Sequence, residues 1–527
     1  MKNFLSDKWL ALAVIIIGTF MAILDSSIVN IAIPKMMAVF NASTDQIEWV
    51  LTAYMLTMAA VLPLTGLLGE RFGLKRVYIF ALIVFTIGSF LCGISWNLPS
   101  IITARIIQAI GGGMIMPISM TLIYRIVPRK KIGIAMGFWG IAGMAAPAIG
   151  PTLGGYLIEY ADWRLIFNVN IPIGILAVAC SFVLLDAFKE KKAHKLDFFS
   201  SFLICTGLVT LLLALNNGNS EGWRSPYIIS LFIISTLSLL SFVIYELNSH
   251  EPLLELRILK NYKFSLSLSL QAITSIALFG GIFLIPIYLQ NMRGLTAIQT
   301  GLLMLPSSLA TAVSMPVSGK IFDKYGAKAT TLVGMILLTV TSYLLSQLSM
   351  NNSLNYIMII LIFRGFGIGL SMMPVTTMGM QDIENHRIGK ASALSGTFRQ
   401  IAGALGIALF STILNHQQNL HTTRLTETLN LTNAAGTLIT SETMQHALSC
   451  GLNIENAKNV IYLLAASLCG KQSFILSMND TFLIATYITI IGVFLSLIIP
   501  GKENITIQRK TAVLNSTKIR NNTKSEI

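Results

Sequence analysis

The sequence contains one ten-residue pattern twice: GLLGERFGLK from Gly66 to Lys75, and GKIFDKYGAK from Gly319 to Lys328. Glycine, acid, base, glycine and base stand at the same offsets in both copies. A weaker echo, an arginine followed by a glycine, links Arg105 with Arg364. A pattern that recurs at two distant places predicts a chain of two related halves, an organisation found in secondary transporters.

Long apolar segments surround both copies of the repeat. Of the 527 residues, 54% are hydrophobic and only 11% are charged, which indicates a polytopic membrane protein rather than a soluble one. Segments of about 20 apolar residues cross about 30 Å of hydrocarbon as helices. Fourteen are predicted, at 9–33, 47–68, 77–95, 100–124, 133–158, 166–186, 198–216, 227–247, 264–290, 298–318, 329–348, 355–380, 391–415 and 479–500.

The positive charges predict the orientation of these segments. The net charge is +14, but the lysines and arginines form short clusters between apolar runs, mostly on the side of the N-terminus, so no nucleic-acid partner is predicted. Both termini are therefore predicted to be cytoplasmic. Lys2 and Lys8 precede the first segment without a small-residue cleavage site, so we expect a retained first helix.

The repeat and the segments together divide the chain into four parts. We predict an N-terminal six-helix bundle (1–197), an inserted helix pair with a cytoplasmic linker (198–263), a C-terminal six-helix bundle (264–500) containing a large periplasmic loop (416–478), and a disordered basic tail (501–527). Residues 456–468 of the loop are expected to form a short amphipathic helix. Cys450 and Cys469 share this loop, where an oxidising compartment would allow a disulfide.

A carboxylate lies inside the first apolar segment, in LDSSIVNIAIP from Leu24 to Pro34. An acid near the centre of a membrane span costs about 2.5 to 3.5 kcal/mol on the insertion scale, so Asp25 calls for a functional explanation. No other carboxylate of the sequence lies so deep in an apolar segment. Arg105 lies at a similar depth in the fourth segment, which predicts either a structural salt bridge or a site of proton coupling.

The fifth segment contains GFWGIAGMAAPAIGPTLGGY, from Gly137 to Tyr156. Its glycines permit close helix approach, while Pro147 and Pro151 remove backbone donors and favour a bend. Such a helix is either a sliding surface between two halves or an ordinary packing helix.

These motifs resemble the major facilitator superfamily, in the fourteen-span drug:proton antiporter branch often called the EmrB/QacA family, over nearly the full length. Gly150-Pro151 followed by Gly154-Gly155 matches the motif that marks exporters in the superfamily. The loop after Gly66 resembles the signature between its second and third helices, with Glu70 where aspartate is usual. The resemblance implies the major facilitator fold, with an inserted helix pair between two six-helix bundles.

Two groups of site residues follow from these motifs. An acid at the end of one helix can engage the positive N-terminus of another, so conformational gating is predicted for the loop copies and the fifth segment. These residues are Gly66, Glu70, Arg71, Gly73, Gly143, Pro147, Gly150, Pro151, Gly154, Gly155, Gly319, Asp323 and Gly326. Aromatic faces and a few polar groups suit amphipathic or cationic organic molecules. The predicted substrate-binding residues are Asn30, Trp49, Tyr54, Gln108, Trp139, Tyr288, Gln290 and Arg399.

The sequence contains no nucleotide-binding loop, metal-ligand motif or other enzyme signature, and no cofactor is predicted. We expect a proton-coupled multidrug exporter that works by alternating access in a bacterial inner membrane, in contact with small organic substrates, protons and membrane lipid. The alternatives are a dedicated exporter of one metabolite, siderophore or lipid-like compound, and a non-transporting sensor or scaffold. The stretch from Lys471 to Phe482 is similar to members that work with a periplasmic adaptor and an outer-membrane channel, which implies such partners.

Overall fold

The computed structural model describes residues 2–186, 197–249, 252–384, 386–428, 449 and 454–501. Within these ranges the chain is helical and has no β-strand. The helices are α1 Lys2–Phe40, α2 Thr44–Val61, α3 Thr65–Phe72, α4 Leu74–Gly93, α5 Leu98–Ile126, α6 Ile132–Tyr160, α7 Leu165–Asn168, α8 Asn170–Leu184, α9 Phe198–Glu221, α10 Pro226–Asn248, α11 Tyr262–Ile287, α12 Ala297–Tyr325, α13 Lys328–Leu345, α14 Leu354–Met380, α15 Ile388–Thr428 and α16 Ile454–Leu497. The predicted tail, from residue 502 onward, lies outside the described residues.

Thirteen stretches of the described residues are long and apolar enough to cross a membrane. Two of them combine neighbouring helices: α2 and α3 form one span, as do α7 and α8. The helix α6 is a further 29-residue helix, and it coincides with the predicted segment 133–158. The all-helical, multi-span architecture predicted from the sequence is thus confirmed.

The two copies of the sequence repeat adopt the same local structure. Each copy ends a helix at a glycine with positive φ: Gly73 (φ 93°) after α3 and Gly326 (φ 89°) after α12. An L side chain rarely adopts this conformation, so both positions favour glycine. The next span, α4 or α13, begins within two residues, which places the two copies at equivalent turns.

The helices form two bundles joined by an inserted pair. Most of the packing of α1–α8 and of α11–α16 lies within each group, except that α6 packs extensively on α12 of the other bundle, while α9 and α10 pair with each other. The helix α9 also contacts both bundles. Its Cys205 Sγ lies 3.2 Å from the Ala60 carbonyl oxygen in α2, and its Asn219 Nδ2 lies 2.5 Å from Ser411 Oγ in α15. The inserted pair therefore covers the side of the protein where α2 and α15 face each other.

The described parts of the predicted periplasmic loop 416–478, residues 416–428 and 454–478, are helical, which corrects the sequence interpretation there. Helix α15 has 41 residues and α16 has 44. At about 1.5 Å per residue each helix is about 60 Å long, twice the thickness of the hydrocarbon core. The polar composition indicated a loop, but a polar helix that satisfies its own backbone hydrogen bonds is stable in water when it has a partner helix.

The two extensions pair with each other through polar contacts. His421 Nε2 of α15 lies 2.8 Å from Asp480 Oδ2 of α16, and Thr422 Oγ1 donates to Ser473 Oγ at 2.9 Å. The expected short helix at 456–468 is part of α16 rather than a separate element. Cys450 lies outside the described residues, and Cys469 is a free, buried cysteine, so the structure does not show the disulfide that an oxidising compartment would allow.

Candidate functional site

The acid of the first span meets the arginine of the fourth. Arg105 Nη1 in α5 lies 2.6 Å from Asp25 Oδ2 in α1. Both residues are 0% exposed. The proximity predicted from their similar depth is therefore present, and the pair lies entirely inside the N-terminal bundle.

Two amide side chains complete the surroundings of the carboxylate. Gln108 Nε2 and Asn170 Nδ2 each donate to Asp25 Oδ1 at 2.8 Å. Gln108 also donates to Ser89 Oγ in α4 (2.6 Å) and accepts from Arg105 Nη1 through Oε1 (2.7 Å). Three N–H donors thus surround Asp25, the arrangement that an ionised carboxylate accepts.

The arginine is held on its other side by α2. Arg105 Nε donates to the Val50 carbonyl oxygen at 3.3 Å, and Arg105 Cζ lies 3.8 Å from the centre of the Tyr54 ring. An aromatic face beside a guanidinium is a favourable cation–π contact. Helices α1, α2, α4, α5 and α8 therefore all contribute to one buried polar cluster.

The sequence did not single out Asn170 or Ser89 as members of this cluster. Asn170 follows the fifth segment, in WRLIFNVNIPIG, and is 0% exposed. An amide inside an otherwise apolar span needs a partner, and that signal could have marked it. Ser89 is less distinctive, because a serine in a membrane helix commonly bonds to its own backbone.

Glycines after Arg105 let α5 approach its neighbours closely. A Cβ at Gly111 would clash with the Ala81 carbonyl oxygen of α4, and one at Gly112 would lie 2.8 Å from the Tyr54 hydroxyl of α2. Small residues of this kind allow membrane helices to pack backbone to backbone. The glycine run thereby fixes the depth at which Arg105 meets its partners.

The glycine-rich helix α6 touches the Asp25 helix on one face and the other bundle on another face. A Cβ at Gly150 would clash with Ser27 Oγ, and one at Gly154 would lie 2.7 Å from Ile28 Cγ1, both in α1. Toward its cytoplasmic end, a Cβ at Gly137 would lie 2.6 Å from Pro316 Cα of α12.

The remaining gating residues of α6 are less closely packed. A Cβ at Gly143 would meet nothing within 4 Å, and one at Gly155 would lie 3.7 Å from Ile298 Cγ1 of α12. Pro147 and Pro151 lie between these glycines in the same continuous helix. The two proline positions therefore lie in the part of α6 that passes Ser27, two residues from Asp25.

The acid of the second loop copy contacts the start of α6. Asp323 Oδ1 accepts from the Gly133 backbone N–H at 3.0 Å, and Asp323 Oδ2 accepts from the Ile134 N–H at 3.1 Å. Gly319 and Gly133 lie so close that a Cβ on either would clash with the carbonyl oxygen of the other. A carboxylate at the positive end of a helix is the contact expected for this acid.

The first loop copy contacts the start of α15 in a similar way. Glu70 Oε2 lies 3.5 Å from Lys390 Nζ, and a Cβ at Gly66 would lie 3.0 Å from Lys390 Cα. Arg71 lies beside it, with Cζ 5.3 Å from the Phe72 ring centre. Both loop copies therefore join the two bundles on the predicted cytoplasmic side.

Along α15, the two bundles separate toward the side opposite the two loop copies. Ser392 Oγ donates to the Pro117 carbonyl oxygen at 3.1 Å, and Arg399 Nη2 lies 3.6 Å from Met116 Sδ, both in α5 of the N-terminal bundle. Further along α15, Gly403 and Gly406 face the C-terminal bundle, against α11. Among the described residues, α3 packs on α15 while α2 makes at most isolated contacts with it. The conformation is closed on the side of the two loop copies, which is the predicted cytoplasmic side.

The predicted substrate-binding residues fall into two groups. Asn30, Trp49 and Gln290 are exposed and Arg399 is partly exposed, whereas Tyr54, Gln108, Trp139 and Tyr288 are buried. Two of the buried group, Tyr54 and Gln108, belong to the Asp25 cluster.

The other two buried residues have partners of their own. Trp139 Nε1 donates to Ser119 Oγ (2.9 Å) and Thr19 Oγ1 (3.2 Å), and the Tyr288 hydroxyl donates to the Ser349 carbonyl oxygen (3.0 Å). The structure therefore does not bring the eight residues to one surface, and their substrate role stays a prediction. Within the described part of the chain, no group of three or more His, Cys, Asp or Glu side chains has a metal-binding arrangement.

Two related helical bundles, a buried ion pair inside one of them, and matched loops that join them define a membrane carrier. The model of the Major Facilitator Superfamily matches residues 15–407. The protein therefore belongs to this superfamily and is a transporter, as the sequence motifs predicted.

Individual relatives agree with this assignment. The chain is 34% identical over 501 residues to YhcA of Bacillus subtilis (strain 168), an uncharacterized MFS-type transporter, covering 95% of this chain and 94% of YhcA. It is 29% identical over 470 residues to the multidrug export protein EmrB of Haemophilus influenzae, covering 88% and 90% of the two chains. The human organic anion transporter MFSD10 (TETRAN) has the same fold, with a TM-score of 0.59 at 14% identity over 92% of this chain and 99% of MFSD10.

Proposed function

We propose that the protein exports amphipathic organic compounds across a bacterial inner membrane in exchange for protons, with Asp25 as the proton carrier. The observation that carries this proposal is the buried cluster of Asp25, Arg105, Gln108 and Asn170. It occurs in a chain that is similar to multidrug transporters. The substrates expected from the sequence are amphipathic or cationic organic compounds.

The geometry ties the protonation of Asp25 to conformation. All three side-chain contacts of the carboxylate come from N–H donors, and the neutral acid that forms on protonation is a weaker acceptor for each of them. Loss of the carboxylate charge leaves Arg105 uncompensated in a region of low dielectric, which costs about 3 to 5 kcal/mol when a buried pair is broken. A rearrangement that gives Arg105 another acceptor removes part of this cost, so protonation favours a different arrangement of the bundle.

Helix α6 connects that rearrangement to the second bundle. It packs on Ser27 and Ile28, next to Asp25 in α1, and its first turn binds Asp323 of α12. A shift of α1 would therefore reach the contact between the bundles at Asp323 through the continuous helix α6. The free energy comes from proton entry, about 2.3 kcal/mol per elementary charge per 100 mV of membrane potential.

The test measures proton release caused by substrate. In inverted vesicles with an acidified lumen, a transported compound should enter the lumen and drive protons out, which a pH-sensitive dye records. We expect Asp25→Asn to lower this release about 100-fold or more, because the charge that the proton would neutralise is absent. Release at the wild-type rate in Asp25→Asn would show that the proton carrier is another group.

A panel of chemically varied dyes, biocides and antibiotics separates the multidrug proposal from its main alternative. Resistance of an overexpressing strain to several unrelated compounds supports multidrug export. Resistance to one compound or to none, together with intact expression in the membrane, favours a dedicated exporter.

The helical extensions of α15 and α16 support a second element of the proposal, a periplasmic adaptor protein. Their polar pairing, through His421 and Asp480, forms a helical projection that an adaptor could bind. We expect an adaptor and an outer-membrane channel to co-purify with the full chain. Unchanged export from cells that lack every adaptor would overturn this element and leave proton-coupled export intact.

A further inference from the structure

We propose that Arg399 makes this transporter selective for organic anions, by binding a carboxylate, sulfonate or similar group of the substrate. The inference deepens the proposed export function and rests on it. Its basis is a single cation at the boundary between the two bundles, with no carboxylate of the described residues to neutralise it.

The position of Arg399 is at the base of the cleft between the bundles. Toward the cytoplasm, α15 packs on the N-terminal bundle, where Gly396 faces Leu62 and Ser392 bonds to Pro117. Beyond Arg399, Gly403 and Gly406 turn to α11 of their own bundle. Arg399 is therefore the residue at which α15 leaves its contact with the other half of the protein.

The contacts of Arg399 do not neutralise its charge. Its Nη2 lies 3.6 Å from the thioether sulfur of Met116, which is a weak, uncharged acceptor. The residue is partly exposed at the boundary between the bundles. An arginine at this depth of a membrane protein is costly and indicates a functional role.

The other two arginines within the spans are not available to a substrate. Arg105 is fully buried and paired with Asp25. Arg364 is 3% exposed and donates to Ser342 Oγ and the Ala277 carbonyl oxygen. The one deep carboxylate, Asp25, is itself enclosed. Among the described residues of the spans, the charge that the cleft presents at its base is therefore positive.

This charge favours one class of substrate. A guanidinium binds a carboxylate or sulfonate through two parallel N–H bonds, and burial in a cleft of low dielectric strengthens them. The same charge repels a cation and opposes the entry of quaternary ammonium compounds. An amphipathic anion can place its acid group on Arg399 and its apolar rings on the surrounding side chains.

The test uses pairs of fluorescent compounds that share one ring system, one carrying a carboxylate and the other its neutral ethyl ester. Binding to the purified full chain and transport into inverted vesicles are both measured. We expect the wild-type protein to bind the acid about 10-fold to 100-fold more tightly than the ester, the range of a charge-assisted hydrogen bond. Arg399→Gln should remove this preference while ester binding changes less than about threefold.

Two further variants separate charge from structure. Arg399→Lys keeps the charge and should keep most of the preference for the acid, although it loses the two-pronged geometry. Arg364→Gln removes an arginine from the same bundle at a buried position, and its acid preference should equal that of the wild type.

The possible results test the role of Arg399 and the proposed export function separately. Equal acid preference in wild type and Arg399→Gln overturns the inference, and so does a wild-type preference for cationic analogues. In both cases continued transport leaves the proposed export function standing. If the wild-type protein moves no compound of either charge, the export function itself fails.

Discussion

The two bundles hold a buried arginine at corresponding places, Arg105 in α5 and Arg364 in α14, but their partners differ. Arg105 meets the carboxylate of Asp25 at 2.6 Å. Arg364 meets neutral acceptors, the Ser342 hydroxyl at 2.9 Å and the Ala277 carbonyl oxygen at 2.6 Å. The same fold therefore holds a buried guanidinium both with and without an acid.

The missing acid can be located by counting along the first helix of each bundle. Nine residues before Pro34 in α1 is Asp25, and nine residues before Pro286 in α11 is Ala277. The C-terminal bundle thus has alanine where the N-terminal bundle has its acid, and the carbonyl oxygen of that alanine binds Arg364. Since the fold does not need the acid, the cost of burying Asp25 is better explained by function.

The largest effect is expected when the ion pair is broken from one side. Arg105→Ala leaves Asp25 buried without its cation, so we expect the free energy of unfolding to fall by about 3 to 5 kcal/mol. Arg364→Ala strands no charge and should cost about 1 to 3 kcal/mol, the cost of unpaired acceptors. Thermal unfolding of both variants in the same detergent measures the difference.

A double variant separates the stability of the pair from its function. Asp25→Asn with Arg105→Gln replaces the charges by two amides, and we expect it to regain most of the stability that Arg105→Ala loses. Substrate-driven proton release should nevertheless stay absent. A double variant that is stable and still releases protons would show that the Asp25–Arg105 pair is only a structural salt bridge. The two bundles would then not differ in proton coupling.

A smaller effect is expected at the two copies of the cytoplasmic contact. Asp323 accepts two backbone N–H groups of the first turn of α6, whereas Glu70 pairs with the Lys390 side chain at 3.5 Å. A charge at a helix N-terminus contributes about 0.3 to 2 kcal/mol and a partly exposed ion pair about 0.2 to 1 kcal/mol. We therefore expect Asp323→Asn to open the cytoplasmic side more than Glu70→Gln does.

Spin-label distances across the cytoplasmic side measure this opening directly. Labels on the cytoplasmic ends of α3 and α15, and separately of α6 and α12, report the two contacts independently. Equal shifts in the two variants would mean that glutamate closes its loop as firmly as aspartate does. The sequence left that geometry open, because Glu70 stands where aspartate is usual.

Much of this arrangement could be predicted from the sequence because it depends on order along the chain. The length of the apolar segments predicts the membrane spans, and the repeated motif predicts the two halves. The similar depth of Asp25 and Arg105 in their spans predicts that the two side chains meet. The contributions of Asn170 and Ser89 could not be predicted, since they depend on how α8 and α4 are rotated toward α1. The outer extensions of α15 and α16 were misread as a loop because their polar composition is equally typical of helices that pair in water.

The smallest effect on transport is expected in the inserted pair, which differs from both bundles in having no repeat partner. Asn219 of α9 donates to Ser411 Oγ (2.5 Å) and accepts from Thr412 Oγ1 (3.1 Å) and Trp223 Nε1 (3.1 Å). Asn219→Ala removes these bonds in a partly buried place, so we expect a loss of about 1 kcal/mol in the free energy of unfolding.

Proton release should stay near the wild-type rate in this variant, because α9 touches neither the Asp25 cluster nor the two cytoplasmic contacts through Asn219. A matched variant, Asn216→Ala, changes an exposed asparagine of the same helix and should alter neither property. If Asn219→Ala instead abolishes transport while its thermal unfolding stays close to that of the wild type, α9 moves with α15 during the cycle. The inserted pair would then change position during the transport cycle and would not be a static element beside α2 and α15.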